Sequence, residues 1–277
     1  MNSLEIQEAA NALNQAEETK IQMGLLSLRY PKMNMDDAYA IQEAWICKKL
    51  SIGQKIIGWK IGLTSKAMQY ALNIDTPDSG ILTDKMHFEN NSVIPKGYFI
   101  QPRIEAEIAF VMKSSIYGNV TREEVIAATD YVSPSLEILD TRILRSDPKT
   151  GKSRIIFDTI SDNAANAGVI LGDKKHKVGD FDLRKVGAVV TRNGEVEETG
   201  LGAGVLNDPI MGIVWLAQRM AIYEKKIEPG QIILSGSFIR AIEAPSGSDI
   251  IGVFFDFGSV GCCLLYTSDA ADEEDSV

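Results

Sequence analysis

Residues 103–112, Arg103-Ile104-Glu105-Ala106-Glu107-Ile108-Ala109-Phe110-Val111-Met112, decide how this chain is read. A period of two runs through them, which predicts a β-strand with Ile104, Ala106, Ile108 and Phe110 on one face. Glu105 and Glu107 then share the other face with Ala109 and Val111. Two carboxylates held together in an apolar strand repel and lose hydration, so either one takes up a proton or both find a counter-ion. A divalent metal is the least costly such ion. A third acid, Glu137, stands alone among apolar residues in a second strand pattern, Ser133-Pro134-Ser135-Leu136-Glu137-Ile138-Leu139-Asp140. Three carboxylates without a convenient histidine select a hard cation, Mg²⁺ or Mn²⁺. The competing expectation is a solvent-facing strand edge with ordinary surface glutamates, which is the better choice for any lone Glu-x-Glu.

Around this stretch the same period appears in KIIGWKIGL from Lys55, in GAVVTRNGEVEE, in QIILSG and in IIGVFFDF, all expected as strands. Asn193-Gly194 marks a tight hairpin. Helical spacing is confined mainly to the start of the chain. Leu4, Ala9, Leu13 and Ala16 line one face of a helix expected over residues 4–28, which Tyr30-Pro31 breaks. Asn34 is the expected N-cap of a second helix reaching Leu50, with Asp36 and Asp37 where the helix dipole favours acids. Thr121-x-x-Glu124 reads as a capping box and Asp208-Pro209 as an N-cap followed by proline, predicting helices near 122–129 and 209–224. Strands dominate without regular strand–helix alternation, so the fold class is α+β. A small N-terminal helical region (1–54) precedes a mostly β, mixed-sheet catalytic domain (55–263).

The remaining stretch, 264–277, carries five acids and no base. Its string CLLYTSDAADE, from Cys263 to Glu273, looks like the translation of a transposase adapter used in DNA library preparation. It is read as a non-native acidic tail.

Composition narrows the function. Of 277 residues, 45% are hydrophobic and 24% charged, an ordinary globular balance. No window approaches the roughly 18 unbroken apolar residues of a membrane span, and the first residues resemble no leader, so the cytoplasm is the expected location. A net charge of −10 without any basic block disfavours nucleic acid as a partner. Three cysteines, none in a Cys-x-x-Cys pair, and two distant histidines, His87 and His176, weaken redox, zinc and Ser-His-Asp chemistry.

Lys60 sits in a glycine-flanked strand, Ile57-Gly58-Trp59-Lys60-Ile61-Gly62, where a ligand can come close, although a surface lysine lying past Trp59 fits equally well. Gly200-Leu201-Gly202-Ala203-Gly204 lacks the strand–loop–helix setting of a dinucleotide loop and reads as a turn. Ser235-Gly236-Ser237 has no nearby histidine to activate a serine.

Longer motifs carry a resemblance. They are Lys60-IGLTSKAMQ, Pro77-Asp78-Ser79-Gly80, Pro102-RIEAEIAFV, Ala128-TDYVSPSLEILDTR, Phe157-DTISDNAANAGVILG, Arg192-NGEVEETGLGAGVLNDP and Gly230-QIILSGSF. From about Ala40 to Gly261 the chain resembles the fumarylacetoacetate hydrolase-related superfamily, in the group of 2-keto-4-pentenoate hydratases and 4-oxalocrotonate decarboxylases. The resemblance implies that Glu105, Glu107 and Glu137 bind the metal, and that Lys60 and Asp78 sit at the reacting carbons. It also implies that Ser161 and the Gly236-Ser237 turn lie near the substrate.

The activity so implied is a metal-dependent hydratase that converts 2-oxo-hept-4-ene-1,7-dioate to 4-hydroxy-2-oxoheptanedioate in aromatic catabolism. It uses Mg²⁺ or Mn²⁺ and no organic cofactor. A homo-oligomer is expected. The alternatives are a 4-oxalocrotonate-type decarboxylase, a 2-oxopent-4-enoate hydratase, or a silent structural subunit of a hydratase–decarboxylase complex. A dianionic substrate on an acidic chain needs local cations. Arg142 is the candidate for its far carboxylate, ahead of Arg103, because a guanidinium fork grips a carboxylate through two hydrogen bonds. A structural pair of Arg142 with Asp140 or another acid is the competing expectation.

Overall fold

A computed structural model describes residues 1–265 other than 67, 68, 71–73 and 75. Three helices open the chain: α1 (Ser3–Thr19), α2 (Leu26–Arg29) and α3 (Met35–Ser51). Capping boxes start α1 at Asn2–Glu5 and α3 at Asn34–Asp37, satisfying backbone N–H groups that have no partner within the helix. The single helix expected over residues 4–28 is broken instead. Lys20 turns left-handed (φ 58°), and Met23 then pairs its backbone with Arg142 and Leu144. The faces of α1 and α3 bury Leu13, Ile41 and Trp45 against Ile143 and Ile160.

The strands form two mixed sheets. The larger contains β1 (Ile56–Gly62), β2 (Asp78–Thr83), β3 (His87–Phe88), β5 (Arg103–Met112), β6 (Thr129–Leu139), β7 (Asn166–Leu171), β10 (Ile232–Leu234) and β11 (Ile242–Glu243). Its order is β2-β1-β10-β5-β6-β7-β3, with β11 also on β5; β1–β10 and β3–β7 are parallel. The smaller contains β4 (Ser92–Ile94), β8 (Gly187–Arg192), β9 (Glu195–Leu201), β12 (Ser248–Val253) and β13 (Ser259–Leu264), in the order β4-β13-β12-β8-β9. β8 and β9 meet at Asn193 (φ 54°) and Gly194 (φ 82°), the two left-handed residues that a tight hairpin requires. Helices α4 (Arg122–Ala128) and α6 (Pro209–Ala221) begin at Thr121 and Asp208, as the caps predict. Between them in sequence lies α5 (Ile156–Ser161).

The main core forms where the inner faces of both sheets meet. Ile104, Ala106, Ile108 and Phe110 of β5 join Val190, Ile250 and Val260 of the smaller sheet there, with Ile213 and Leu216 of α6. On the opposite face of the larger sheet, Ala109, Val169, Leu82 and Leu234 make a separate apolar cluster. The alternation read from residues 103–112 is therefore observed, and Glu105 and Glu107 lie on the face away from the main core. IIGVFFDF is not one strand: β12 ends at Val253, and Phe255 (φ 53°) sits in a 3₁₀ turn that buries Phe254 and Phe257. β13 continues through Leu264, beyond the boundary drawn from sequence; residues 266–277 lie outside the described residues. No helix among the described residues is long and apolar enough to cross a membrane.

Candidate active site

Strand register assembles the acids. Glu105 is directly opposite Glu137 across the β5–β6 ladder, and Glu107 is opposite Ser135. Alternation puts all three glutamates on one face, and one carboxylate oxygen from each falls within 4.8 Å of the others. Glu107 and Glu137 are fully buried, and Glu105 partly so.

One acid has a fixed donor. Glu107 Oε2 accepts the Gly236 N–H at 2.7 Å. That N–H is free because the chain bulges after β10: Ser235 N donates to Ile108 O and Phe238 N to Ala106 O, so Gly236 and Ser237 together stand opposite the single residue Glu107. Gly236 has φ 121° and no space for a Cβ, which would lie 2.3 Å from Thr64 Oγ1. Glycine is thus required on two counts.

Lys60 and Asp78 approach from the neighbouring pair of strands. Lys60, on β1 and almost fully buried, brings Nζ to 3.3 Å from Glu137 Oε1. Gly62 is across the ladder from Asp78, and a Cβ on Gly62 would fall 2.2 Å from Asp78 Oδ1 and 3.1 Å from Lys60 Nζ. The absence of that methyl allows the carboxylate and the ammonium to occupy one space. Asp78 is itself buried.

The electrostatics are those of an acid cluster in want of positive charge. Burial, then Glu137, pushes Glu105 up to about 8 against the pull of Lys60. Burial, then Glu137 and Glu105, raises Glu107 well above the usual carboxylate range despite the Gly236 N–H. Glu137 is raised by burial and Asp78 likewise, each partly offset by Lys60. Burial would lower Lys60, but Glu137, Asp78, Glu105 and Glu107 together outweigh it and keep it an ammonium ion. Among the described residues Glu107 Oε1, Glu137 Oε2 and Asp78 Oδ1 are buried without a hydrogen-bond donor, and Glu137 Oε1 has only the Lys60 ammonium beside it. Such oxygens are costly unless something else binds them. A hard divalent cation on Glu105, Glu107 and Glu137 fits this donor set in both type and charge.

Other residues singled out from sequence lie elsewhere or act differently. Arg142 does not reach the cluster. It is 1% exposed; Nε donates to Asp162 Oδ1 at 2.5 Å, its backbone N–H to Asp162 Oδ2 at 2.9 Å, and Nη2 to the carbonyls of Asp162 and Asn166. It also lies over the Trp45 ring, so the structural pair prevails, with Asp162 in place of Asp140. Ser161 spends its hydroxyl on the Phe157 carbonyl one turn back in α5. Ser237 closes a local turn by donating to Ile239 O and accepting from Ile239 N, while Gly236 serves a glutamate.

Sequence reasoning passed over Asn163. At the end of the DTISDN stretch, Asn163 and the following Ala164 and Ala165 all adopt positive φ (53°, 52° and 59°). The Asn163 carbonyl fits against Gly80, where a Cβ would come within 2.5 Å of it. The signal available in the sequence was Asp162-Asn163 followed directly by Ala164-Ala165 and Asn166, polar amides set among small residues ahead of the apolar run Val169-Ile170-Leu171.

No family model matches the chain. Individual relatives do. A 2-oxo-hept-4-ene-1,7-dioate hydratase of Escherichia coli is 48% identical over 254 residues, spanning 91% of this chain and 95% of that protein. A 2-keto-4-pentenoate hydratase of Paraburkholderia xenovorans (strain LB400) is 39% identical, over 83% of this chain and 84% of its own. A solved structure of 4-oxalocrotonate decarboxylase from Pseudomonas putida G7, complexed with magnesium and adipate, superposes with a TM-score of 0.89 at 31% identity, covering 95% of this chain and 98% of that one. By descent and by fold, this chain belongs to the family of 2-keto-4-pentenoate hydratases and 4-oxalocrotonate decarboxylases.

Proposed function

We propose that the chain is a divalent-metal-dependent hydratase acting on a 2-hydroxy-2,4-dienoate, with the seven-carbon diacid, the substrate in the name of the 48%-identical relative, as its substrate. The observation that carries the reading is the convergence of Glu105, Glu107 and Glu137 beside Lys60 and Asp78 on one face of the sheet. The magnesium bound by the Pseudomonas putida decarboxylase supports the choice of cation. Glu105, Glu107 and Glu137 would hold Mg²⁺ or Mn²⁺, which would supply positive charge at the 2-oxo acid end of the substrate.

The chain's own groups move the protons. Protonation of the dienol at carbon 5, with loss of the 2-hydroxyl proton, leaves a 3,4 double bond conjugated with the 2-ketone; water then adds at carbon 4, giving up one proton while carbon 3 takes one up. Lys60, kept charged by the surrounding carboxylates, is the proton donor, and Asp78, with its free Oδ1, takes the proton of the attacking water. Gly62 keeps the two groups side by side. A homo-oligomer in the cytoplasm completes the reading.

The test follows dienol absorbance and CO₂ release together, with the seven-carbon dienol and Mg²⁺. Loss of dienol with formation of 4-hydroxy-2-oxoheptanedioate and no CO₂ is the expected result. Stoichiometric CO₂ from the six-carbon diacid 4-oxalocrotonate, whose far carboxylate can leave its electrons in the conjugated 2-ketone, would make the chain a decarboxylase, and an unchanged seven-carbon dienol would contradict the proposal.

A further inference from the structure

Three arginines gather at the end of the sheet where β5 begins and β6 ends. Arg103 shares a strand face with Glu105 and Glu107, two residues or about 7 Å from Glu105 along β5. It is opposite Leu139, one step along that face beyond the Glu105–Glu137 pair. Arg145 and Arg154 are the two legs of a small hairpin, joined by a hydrogen bond from Arg154 N to Arg145 O and by the Ser146–Ser153 bridge. This hairpin holds the Asp147-Pro148-Lys149-Thr150-Gly151 turn.

Their hydrogen bonding is incomplete. Arg103 Nη2 reaches Glu243 at 3.0 Å, but its Nε is buried without an acceptor among the described residues. Among the described residues Arg145 Nε donates only to the neutral Gln101 amide at 3.2 Å, and Arg154 Nη1 only to the Thr141 hydroxyl at 2.8 Å. Among the described residues no carboxylate forms a salt bridge with Arg145 or Arg154. By contrast, Arg142 close by has Asp162. Burial, then Arg154 and Arg103, pushes Arg145 down to about 10, and burial likewise lowers Arg154. Arg154 also acts on the cluster from its other side, its charge opposing the effect of burial on Asp78. Beside the active site of an acidic protein, Arg145 and Arg154 thus stand without a carboxylate and Arg103 with Glu243 alone, three partly buried cations that suit an anion.

We propose that Arg103, Arg145 and Arg154 receive the distal carboxylate of a dicarboxylic substrate and set the preference for diacids over monoacids. This rests on the reading of the glutamate cluster as the seat of the 2-oxo acid end. The far carboxylate of a seven-carbon diacid is five carbons beyond the 2-oxo carbon, so a chain anchored at the glutamates extends past Glu105 toward the arginines. A five-carbon monoacid ends in an uncharged carbon and leaves them unused.

The test measures binding, so it does not depend on turnover. Magnesium-loaded protein is titrated with two inert probes, 2-oxoheptanedioate and 2-oxopentanoate, in wild type, Arg154→Met, Arg154→Lys and Arg145→Gln. Wild type should prefer the diacid. Arg154→Met should lose about tenfold or more in diacid affinity while keeping monoacid affinity within about twofold, with Arg154→Lys between them. Arg145→Gln, which disturbs only a contact with Gln101, should show the same selective loss and guards against misfolding of the Arg154 variants. Equal losses on both probes, or none on either in a folded variant, would overturn the proposal. Failure of both probes to bind wild type would instead count against the seat at the glutamates.

Discussion

The Asn163 side chain closes both of its hydrogen bonds on one residue: Oδ1 accepts the Ile81 N–H at 2.7 Å, and Nδ2 donates to the Ile81 carbonyl at 2.8 Å. Ile81 lies on β2, the edge strand of the larger sheet, which also carries Asp78. The amide of Asn163 thus stands in for a missing neighbouring strand, and the left-handed turn of residues 163–165 exists to present it. Asparagine tolerates that backbone better than most residues.

Asn163→Ala should therefore strip two buried backbone groups of their partners. The expected cost is about 2–4 kcal/mol of unfolding free energy by urea titration. Because β2 positions Asp78, turnover in the folded fraction should fall while Mg²⁺ affinity stays near wild type. Unchanged stability would show that the clamp contributes nothing.

Arg142→Met should break a buried ion pair and leave Asp162 uncompensated, at a cost of about 3–5 kcal/mol. The loss should appear in the thermal midpoint, and the folded variant should keep its relative preference between the seven-carbon diacid and the five-carbon monoacid. A selective rise in KM for the diacid without destabilisation would return Arg142 to the substrate.

The metal-free protein should lose stability as pH rises from about 5 to 8. Glu105 has its folded pKa raised to about 8, with Glu107 and Glu137 also raised, so over this window the native state holds more protons than the unfolded chain. Stability then falls with increasing pH. Saturating Mg²⁺ should oppose the trend, because it binds the deprotonated acids and releases protons on binding. Thermal midpoints of metal-free and loaded protein at pH 5 and pH 8 check both signs. A metal-free midpoint that rises toward pH 8 would contradict the crowding of the three carboxylates.

What the sequence made legible was local. The period of two through residues 103–112 assigns faces without any knowledge of neighbours, so Glu105 and Glu107 could be placed together. Asn34, Thr121, Asp208 and Asn193-Gly194 announce their caps and turn within four residues. Strand order was beyond reach because β10 enters between β1 and β5 from more than a hundred residues away in the chain. The fate of Arg142 depended on Asp162, twenty residues downstream and brought near only by packing. Phe254–Phe257 looked like strand because an apolar run has the same composition whether it extends or turns inward. Ser161 and Ser237 looked available because a hydroxyl's partner, here a carbonyl four or two residues away, leaves no mark on the residue itself.

Central to this account is that Glu105, Glu107 and Glu137 together hold one hard cation. Calorimetric titration of Mg²⁺ into chelator-stripped wild type and Glu107→Gln, side by side, tests it most directly. Wild type should bind one Mg²⁺ per chain with proton release. Glu107→Gln, which keeps the shape but deletes a charge facing the ion, should bind at least about tenfold more weakly. Its metal-free thermal midpoint should be no lower than that of wild type, since one repulsion is gone. Wild-type affinity in Glu107→Gln, or no Mg²⁺ uptake by the stripped wild type, would contradict the account.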